Sequence, residues 1–463
     1  MMYKQELYVG VAPVKRCFLS METAKREKDE IMARIRGLLP ESVHLVDIDD
    51  AGENGIAFLP EHVAPVVEKF HNAKIDALFL PFCDFGEEQV SSAIAASFKV
   101  PVLVWGPRDE VPNTAASRGR DTQCGMFAAT KVLRRFGVTY SYIFNCRTRD
   151  AAFADGFVRF LRVAAVVKAM KTLRIAKIGA RPAPFLSVMT NEADLVSRFG
   201  IVTVPISPYN IADLGKNMIA QNDSALTDYV ADLRGRMDCR RMTDEAVLSA
   251  AAIKLATQQL MNEAGCNVGA MECWSAFPGL MGLSPCLTLG EMSDAGLPLA
   301  CEADVNGAVT LAMLRACGLY EQAAFLADLT IRHPENENAE LLWHCGPFPY
   351  SLKCPSCAAS LTEGQQNFML KSGDLTVCRF DDLNGDYYLF AGEGKTTTGP
   401  ETINTYTWFE VDDWKRWEEK LIQGPYIHHL GAIYGRYLPV LRETARYLGL
   451  IFDDASTQGI HSL

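Results

Sequence analysis

The sequence has no hydrophobic run that approaches the roughly 18 consecutive apolar residues of a membrane-spanning helix. Residues 1–6 also lack the apolar segment of a secretory signal peptide. We therefore expect no membrane association and a cytoplasmic location. The 14 cysteines lie at irregular positions in a chain of 463 residues, which is typical of reduced thiols in the cytoplasm.

Clusters of basic residues are missing as well. The chain has 45 Lys and Arg residues against 56 Asp and Glu residues, and its formal net charge is −11. A nucleic-acid partner would need a concentrated basic face, so we expect no such partner. No Gly-x-Gly-x-x-Gly sequence follows a predicted strand, which argues against a dinucleotide site.

The first third of the chain alternates continuous apolar runs with amphipathic segments of helical length. The predicted strands are 7–11, 43–48, 77–82, 100–105 and 140–144. The predicted helices are 22–38, 60–71, 87–98, 122–136 and 149–171. Apolar strands separated by helices form parallel sheets that are covered on both faces. The fold class is therefore α/β, with a doubly wound, Rossmann-like sheet.

A second doubly wound α/β unit follows, and then the sequence pattern changes. The strands predicted in this second unit are 173–178, 201–205 and 267–271. Beyond residue 346, polar and apolar residues alternate and Asn384-Gly385 predicts a hairpin turn, so we expect a mainly antiparallel β domain. Helices are predicted there at 414–421 and 430–448. The predicted domains are 1–172, 173–345 and 346–463.

Several polar residues follow predicted strands, where ligands bind in open α/β sheets. Asp84 and Arg108 lie in two such loops of the first unit. In the second unit, Arg181 follows a glycine turn and Glu272 ends a strand. Asp84 could be a helix cap and Glu272 could cap the turn that follows it, or each could face a ligand. Arg181 could anchor an anionic or hydroxyl-rich ligand, or form a surface salt bridge.

The segment 296–349 places oxygen and nitrogen donors at the ends of successive apolar runs. Glu302 and Asp304 follow the first run, Asp328 lies at the second, and His344 ends the third. If these ends converge, carboxylates and imidazole would suit a hard or borderline divalent metal. Taken singly, each donor could also be a helix cap or a surface residue.

Two other motifs could bind metal. His428 and His429 are adjacent, so their side chains point apart, and one could face a metal while the other faces solvent. Cys354 and Cys357 form a lone CxxC pair that could join Cys345 and Cys378 in a structural zinc site. Because no second CxxC accompanies it, we favour reduced thiols in a loop.

From Glu302 to His344 the sequence resembles the L-fucose isomerase and L-arabinose isomerase group. These enzymes carry a metal-binding Glu shortly before a helix and a second metal-binding carboxylate about two dozen residues later. Here Asp328 follows Glu302 by 26 residues (328 − 302), and His344 follows Asp328 by 16 (344 − 328). Asp328 is typical of fucose isomerases and His344 of arabinose isomerases. The chain therefore resembles a divergent branch between the two.

The resemblance implies an aldose–ketose isomerase that depends on a divalent metal, with Mn²⁺ expected. It implies that Glu302, Asp328 and one of His428 and His429 bind the metal, with His429 favoured, and that His344 is a fourth ligand or a substrate contact. The two carboxylates would move a proton between neighbouring carbons of the sugar through an enediolate. Asp304 is left with a supporting role. The substrate could be a plain or 6-deoxy aldose, or an anionic sugar such as sulfoquinovose.

The resemblance also implies a homo-oligomer, often a hexamer, in which a neighbouring subunit's N-terminal domain helps to close the sugar site. On that pattern Asp84, Phe85 and Arg108 would reach an adjacent subunit's sugar. His428, Glu272 and Arg181 are further candidate sugar contacts.

Two readings from other classes compete with the isomerase. Two α/β lobes also build non-catalytic sugar-binding proteins. A zinc-stapled interaction protein would instead be organised by the CxxC pair. The carboxylate pair, Glu302 and Asp328, favours the enzyme, because a sugar sensor has no need of two bases at a metal.

Overall fold

The computed structural model describes residues 5–109 and 119–458. The described residues divide into two compact units, the first within residues 5–168 and the second within residues 169–458. No described helix is long and apolar enough to cross a membrane.

The first unit is built on a five-stranded sheet in the order β2-β1-β3-β4-β5. Every pair of neighbouring strands is parallel, which confirms the predicted doubly wound sheet. The strands are β1 Leu7–Val11, β2 Val43–Val46, β3 Ala77–Pro81, β4 Val102–Trp105 and β5 Tyr140–Tyr142. The helices are α1 Met21–Arg36, α2 Val63–Ala73, α3 Glu88–Ala96, α4 Thr122–Arg135 and α5 Ala151–Lys171.

Burial and local capping explain these elements. All five residues of β3 are buried, as expected of a strand that is covered on both faces. Helix α1 begins where the Ser20 hydroxyl accepts a hydrogen bond from the Thr23 N–H. Its last turn carries Arg34 and Arg36, whose charges complement the negative end of the helix dipole.

The second unit contains a parallel four-stranded sheet in the order β7-β6-β8-β9. Its strands are β6 Arg174–Ile178, β7 Val202–Ile206, β8 Val268–Met271 and β9 Leu299–Cys301. Its helices are α6 Glu192–Phe199, α7 Pro208–Ala220, α8 Ser224–Arg236, α9 Asp244–Glu263, α10 Phe277–Met281, α11 Cys286–Asp294 and α12 Val305–Cys317. Helix α12 is almost entirely buried and packs against both β8 and β9.

The same unit contains a nine-stranded, mainly antiparallel sheet in the order β12-β13-β16-β11-β10-β17-β14-β15-β18. Its elements are β10 Phe325–Arg332, β11 Ala339–His344, β12 Ser360–Thr362, β13 Gln365–Met369, β14 Asp374–Leu383, β15 Asp386–Thr397, β16 Thr405–Glu410, α13 Trp414–Gln423, β17 His429–Tyr434, α14 Leu438–Leu448 and β18 Ile451–Asp454. A further pairing of β15 with β16 closes six of these strands into a barrel. Helix α12 packs on β14 and β17, so it contacts both sheets of the unit.

The prediction of one helix over 430–448 is wrong in its first half. This part of the chain forms β17, which pairs with β10 and β14, and the helix begins only at Leu438. All six residues of β17 are buried, so the strand shows no alternation of polar and apolar residues. Strands β10 and β11 join the barrel although they precede residue 346. The division into domains at that residue stays a prediction.

Candidate active site

Four buried donor atoms converge at one end of the barrel without a hydrogen-bond partner. They are Glu302 Oε2, Asp328 Oδ1, His344 Nε2 and His429 Nε2. His429 Nε2 lies 2.9 Å from Glu302 Oε2 and 3.5 Å from Asp328 Oδ1. His344 Nε2 lies 3.7 Å from the same Asp328 oxygen. The structure thus brings together the four residues that the sequence singled out for a metal.

Strand register accounts for three of these positions. Asp328 on β10 pairs with His429 on β17 and with Trp343 on β11. His344 is the last residue of β11. Because β11, β10 and β17 are consecutive strands of the barrel, residues at matching register reach the same end.

Glu302 reaches the site from the parallel sheet through an uncommon backbone turn. It follows β9, and both Glu302 and Ala303 have left-handed φ angles, of 61° and 54°. The turn is held by the Asp304 N–H, which donates to the Cys301 carbonyl, and by the Ala303 N–H, which donates to that of Met271. Two consecutive non-glycine residues in this region store strain, which is typical of functional sites.

Asp304 orients the His429 ring by contacting Nδ1, the nitrogen that does not face the other donor atoms. Its Oδ2 lies 2.9 Å from His429 Nδ1, and its Oδ1 accepts from the Gly307 N–H at the start of α12. Burial alone would raise the pKa of the Asp304 carboxyl, but the Arg379 guanidinium holds it well below its usual range. The ionised carboxylate can only accept, so His429 Nδ1 carries a proton and Nε2 presents its lone pair to the site.

Arg379 is itself fully buried, on β14. It forms two hydrogen bonds to Asp304, of 2.5 and 3.1 Å, and one of 2.8 Å to Asp381. Asn306 donates to Asp381 and Asp382, which extends the network to the first turn of α12. Arg379 is not among the residues predicted from the sequence, although a single charge within the apolar run of β14 was a usable signal.

The donor set fits a divalent cation. Burial alone would lower the pKa of both histidines, but Asp328 and the Cys345 sulfur raise the pKa of His344 to about 10, and Asp304 and Glu302 raise that of His429 to about 9. A divalent cation bound among these groups would balance the negative charge of the carboxylates, which otherwise favours protonation of the histidines. The separations of 2.9, 3.5 and 3.7 Å among the four donors are close to the separation of about 3 Å expected around an octahedral ion with bonds of about 2.1 Å.

His428 occupies the mouth of the site. Its side chain is about half exposed, and Nε2 lies 3.9 Å from Asp328 Oδ1. Asp328, His428 and His429 offer donor atoms that all lie within 4.8 Å of one another. The Phe185 ring lies 6.4 Å from each histidine ring and packs edge-on against Trp274. This aromatic pair forms an apolar wall beside the donors.

Glu272 and Arg181 lie near the site in different roles. The Glu272 carboxylate accepts from the Ala180 N–H in the turn after β6 and from the Ser275 hydroxyl in the turn after β8, so it joins these two turns. Arg181 donates through Nη1 to the carbonyls of Pro182 and Ala183. Its side chain also lines a cavity of about 260 Å³ that reaches Ala303, the neighbour of Glu302.

In the first unit, the candidate residues surround strand ends of the five-stranded sheet. Asp84 is buried and accepts from the N–H groups of Arg16 and Gly86, so it stabilises the loop after β3 and does not cap α3, whose N-cap is Glu87. The Phe85 ring lies under the Arg16 guanidinium at 4.2 Å. Arg108 is exposed and lines a cavity of about 520 Å³. Asp109, Arg120, Arg147 and Arg149 also line this cavity.

The cysteines do not form the suggested zinc site. Cys345 lies 3.6 Å from Cys286 and 3.3 Å from His344 Nδ1. Within residues 5–109 and 119–458, the one cluster of metal-ligating side chains contains no cysteine. The interpretation as a zinc-stapled protein therefore gains no support.

Comparisons with known proteins agree with this geometry. Residues 10–171 match the family described as fucose/sulfoquinovose isomerase, N-terminal domain. The sulfoquinovose isomerases of Priestia aryabhattai and Priestia megaterium are each 25% identical over 418 residues, which cover 86% of this chain and 91% of theirs. The sulfoquinovose isomerase of Alkalicoccus urumqiensis is 25% identical over 339 residues, which cover 72% of this chain and 75% of that one.

Parallel sheets, a barrel and a carboxylate–histidine centre, together with these relatives, define an aldose–ketose isomerase. The family match over residues 10–171 and the similarity of these relatives over most of the chain support a protein of the fucose isomerase-like kind.

Proposed function

We propose that the protein interconverts an aldose and its ketose with a divalent metal, Mn²⁺ by expectation, held by Glu302, Asp328 and His429. The supporting observation is the set of buried donor atoms without hydrogen-bond partners at the end of the barrel. Such atoms are costly to bury unless a ligand satisfies them. When bound, the cation would act as a Lewis acid that stabilises negative charge on the sugar oxygens.

The chain's own residues would carry the proton transfer. One of the two carboxylates, Glu302 or Asp328, takes the proton from the hydroxyl-bearing carbon next to the aldehyde. The other assists the return of a proton to the former aldehyde carbon. The electron pair of the broken C–H bond passes into the enediolate and then into the new C–H bond, and the proton of the hydroxyl group next to the aldehyde passes to the former aldehyde oxygen, so no outside oxidant or reductant is required. Phe185 and Trp274 limit the access of water to this intermediate.

The substrate we favour is a sugar that carries a sulfonate. All three relatives named above are called sulfoquinovose isomerases. In this chain Arg181 lines the cavity beside the Glu302 turn, and only its Nη1 donates to the loop carbonyls. The remaining donors of a guanidinium suit a sulfonate, whose oxygens accept several hydrogen bonds. A neutral aldose remains the alternative substrate, since it carries no anionic group for the Arg181 guanidinium to bind.

We further propose a cytoplasmic homo-oligomer, with a hexamer expected, in which the first unit of a neighbouring subunit helps to close the sugar site. The cavity at Arg108 supports this idea, because it is large enough for part of a sugar and contains several arginines. Phe85 and Arg108 are the residues expected to contact the neighbour's substrate. Asp84 would act indirectly, since its carboxylate is occupied by backbone N–H groups.

The first experiment tests the reaction and its metal. Metal-stripped protein is assayed with sulfoquinovose, glucose, L-fucose and L-arabinose, with and without Mn²⁺. Ketose formation should return with Mn²⁺, and Glu302→Gln or Asp328→Asn should lower kcat by at least about 1000-fold, as expected for loss of an essential base. Glu337→Gln, at an exposed surface position, is the control. Sugar binding without turnover in any metal would refute the proposal.

A second experiment tests the substrate. Arg181→Met should raise KM for sulfoquinovose by about 10- to 100-fold, the cost of a lost charged hydrogen bond. KM for a neutral aldose should change little. Equal effects on both sugars would show that Arg181 shapes the loop at Pro182 and Ala183 and does not recognise the anionic group.

A further inference from the structure

His344 and His429 differ in the hydrogen-bond partner of the ring nitrogen Nδ1. His344 is 1% exposed, and its Nε2 points to the donor cluster without a hydrogen-bond partner. Its Nδ1 lies 3.0 Å from the backbone nitrogen of Cys345, in a hydrogen bond that Cys345 donates. For His429 the corresponding partner of Nδ1 is the carboxylate of Asp304.

The backbone partner of His344 determines where its proton lies. A backbone amide always carries its hydrogen, so Nδ1 must offer a lone pair to accept this bond. A neutral imidazole has a single N–H group, and that group is then at Nε2. With a cation bound among the carboxylates, the His344 ring would therefore direct an N–H toward the site.

The two histidines thus have opposite tautomers. A histidine that binds a metal through one nitrogen donates a hydrogen bond from the other, usually to a carboxylate or a carbonyl. His429 meets this requirement, because ionised Asp304 accepts from its Nδ1. His344 does not meet it, because the nitrogen that faces the site carries the proton and has no lone pair.

We infer that His344 is not a metal ligand and that its Nε2–H donates a hydrogen bond to a sugar oxygen beside the metal. This inference rests on the proposed isomerase function. The donor would hold the substrate oxygen next to Asp328 and would strengthen as negative charge develops on that oxygen. His344 would then be a substrate-binding residue, whereas Glu302, Asp328 and His429 hold the ion.

A competing arrangement involves the Cys345 thiol, which lies 3.3 Å from His344 Nδ1. A thiolate there could accept a proton from Nδ1 and free Nε2 for the metal. In that arrangement the hydrogen on Nδ1 would face the amide hydrogen of Cys345 at close range. The short distance between Nδ1 and the amide nitrogen therefore favours the tautomer with Nε2–H.

Metal titration of the apoprotein distinguishes the two arrangements without any assay of activity. Mn²⁺ affinity is measured for the unaltered protein and for His344→Ala, His344→Gln, Cys345→Ala and His429→Gln. We expect the first three variants to stay within about 3-fold of the unaltered protein and His429→Gln to lose about 100-fold or more, as for a lost ligand. The visible bands of bound Co²⁺ should also be unchanged in His344→Gln.

Loss of Mn²⁺ affinity in both His344 variants to the extent seen in His429→Gln would overturn the inference. A tenfold loss in Cys345→Ala would overturn it as well, because it would support the thiolate arrangement. Thermal melting identifies a variant that fails to fold, and His344→Gln keeps the test decisive if His344→Ala is unstable.

Sugar binding supplies the other half of the test. In Mn²⁺-loaded protein, His344→Ala should lower kcat/KM and calorimetric affinity for the product ketose, with kcat/KM reduced about 10- to 100-fold. His344→Gln can keep an N–H donor in place and should lose less. Unchanged sugar affinity in His344→Ala would refute the inference. Failure of the proposed function would appear separately, as absence of turnover in the unaltered protein, while the metal titration still reports on His344.

Discussion

The chain Arg379–Asp304–His429 joins a buried ion pair to the proposed metal site. Both charged side chains are fully buried, and Asp304 shares its carboxylate between Arg379 and His429. A buried ion pair of this kind contributes little net stability when intact, but removing one partner leaves an uncompensated charge. The pair is better explained by what it does for His429, because it keeps the carboxylate ionised and the imidazole in the tautomer that can bind a metal.

Asp304→Asn should therefore have two effects. The free energy of unfolding should fall by about 3–5 kcal/mol, because Arg379 loses the charge that accepts two of its hydrogen bonds. Mn²⁺ affinity should fall by about 10- to 100-fold, because His429 loses its orienting partner. Denaturant unfolding and metal titration measure the two effects.

Asp381→Asn is the matched control, because it also removes a charge that contacts Arg379 but leaves the contact between Asp304 and His429 intact. It should lower stability while Mn²⁺ affinity stays within about 3-fold. If Asp304→Asn behaved in the same way, the proposed orienting role of Asp304 would be wrong.

The strained turn at Ala303 leads to a second prediction at the residue scale. Ala303 has a φ of 54°, which glycine adopts without a steric penalty. Ala303→Gly should raise the free energy of unfolding by up to about 1 kcal/mol while lowering kcat, because the carboxylate of Glu302 is held less firmly. Ala308→Gly, within α12, should instead lower stability by about 1 kcal/mol. Loss of stability in Ala303→Gly would show that the turn is not strained.

Glu340 on β11 provides a pH test away from the metal site. Burial raises the pKa of its carboxyl to about 7, because the Arg332 charge, 3.9 Å away, compensates only in part. A raised pKa in the folded protein means that stability is fully present below the ordinary pKa of 4.5 and is lost as the pH rises through 7.

Glu340→Gln removes this ionisation. The variant should be more stable than the unaltered protein at pH 8.5, by about 1–3 kcal/mol, and the difference should shrink toward pH 5. Denaturant unfolding over this pH range measures it. Glu337→Gln, at a side chain that is 95% exposed, controls for the exchange of Glu for Gln. A difference that grew as the pH fell would contradict the stated sign.

At the scale of elements, strand β17 and helix α12 pack so closely that there is no room for a side chain at Gly431. A Cβ at Gly431 of β17 would lie 2.6 Å from Thr310 Cγ2 and 2.9 Å from Leu314 Cδ1, both on α12. Because Asp304 caps the same helix, a shift of α12 would also move the carboxylate that orients His429.

Gly431→Ala should lower the free energy of unfolding by about 1–3 kcal/mol through overpacking. It should also weaken Mn²⁺ binding, although position 431 itself offers no ligand. Gly235→Ala is the control, since a Cβ there would meet nothing within 4 Å and should raise helix stability by about 0.5–1 kcal/mol. Normal stability of Gly431→Ala would mean that the contact between β17 and α12 is looser than described.

Strands β3 and β17 show why one buried strand could be predicted from the sequence and another was predicted to be a helix. Both are short apolar runs, and β3 was predicted to within one residue because helical segments border it on both sides. The run at β17 continues toward α14, and the two together have the length of one helix, which is the usual guide when periodicity does not distinguish a buried strand from a helix.

For the candidate site, the sequence predicted which residues take part but not how their side chains come together. The spacing of Glu302, Asp328 and His344 and the resemblance to known isomerases pointed to residues whose buried atoms the structure brings together. Their convergence required the register of β10 with β17, which pairs residues about 100 positions apart and leaves no trace in local sequence. Arg379 was missed for a related reason, since its partners lie on another element.

At the scale of the whole molecule, the proposed site draws on both sheets of the second unit. Glu302 comes from the end of the parallel sheet, whereas Asp328, His344 and His429 come from the barrel. Helix α12 contacts both sheets, which is why changes in this helix should affect metal affinity and stability together.

The proposed oligomer adds a final prediction. If the first unit of one subunit closes the metal centre of its neighbour, two defective chains should restore each other. One chain carries Glu302→Gln and the other carries Phe85→Ala with Arg108→Ala, and each alone should have little activity. In mixed oligomers about a quarter of the sites combine two intact halves, so about a quarter of full activity should return after co-expression. Light scattering gives the size of the oligomer, and a mixture no more active than the mean of its two parents would show that each site is completed within a single chain.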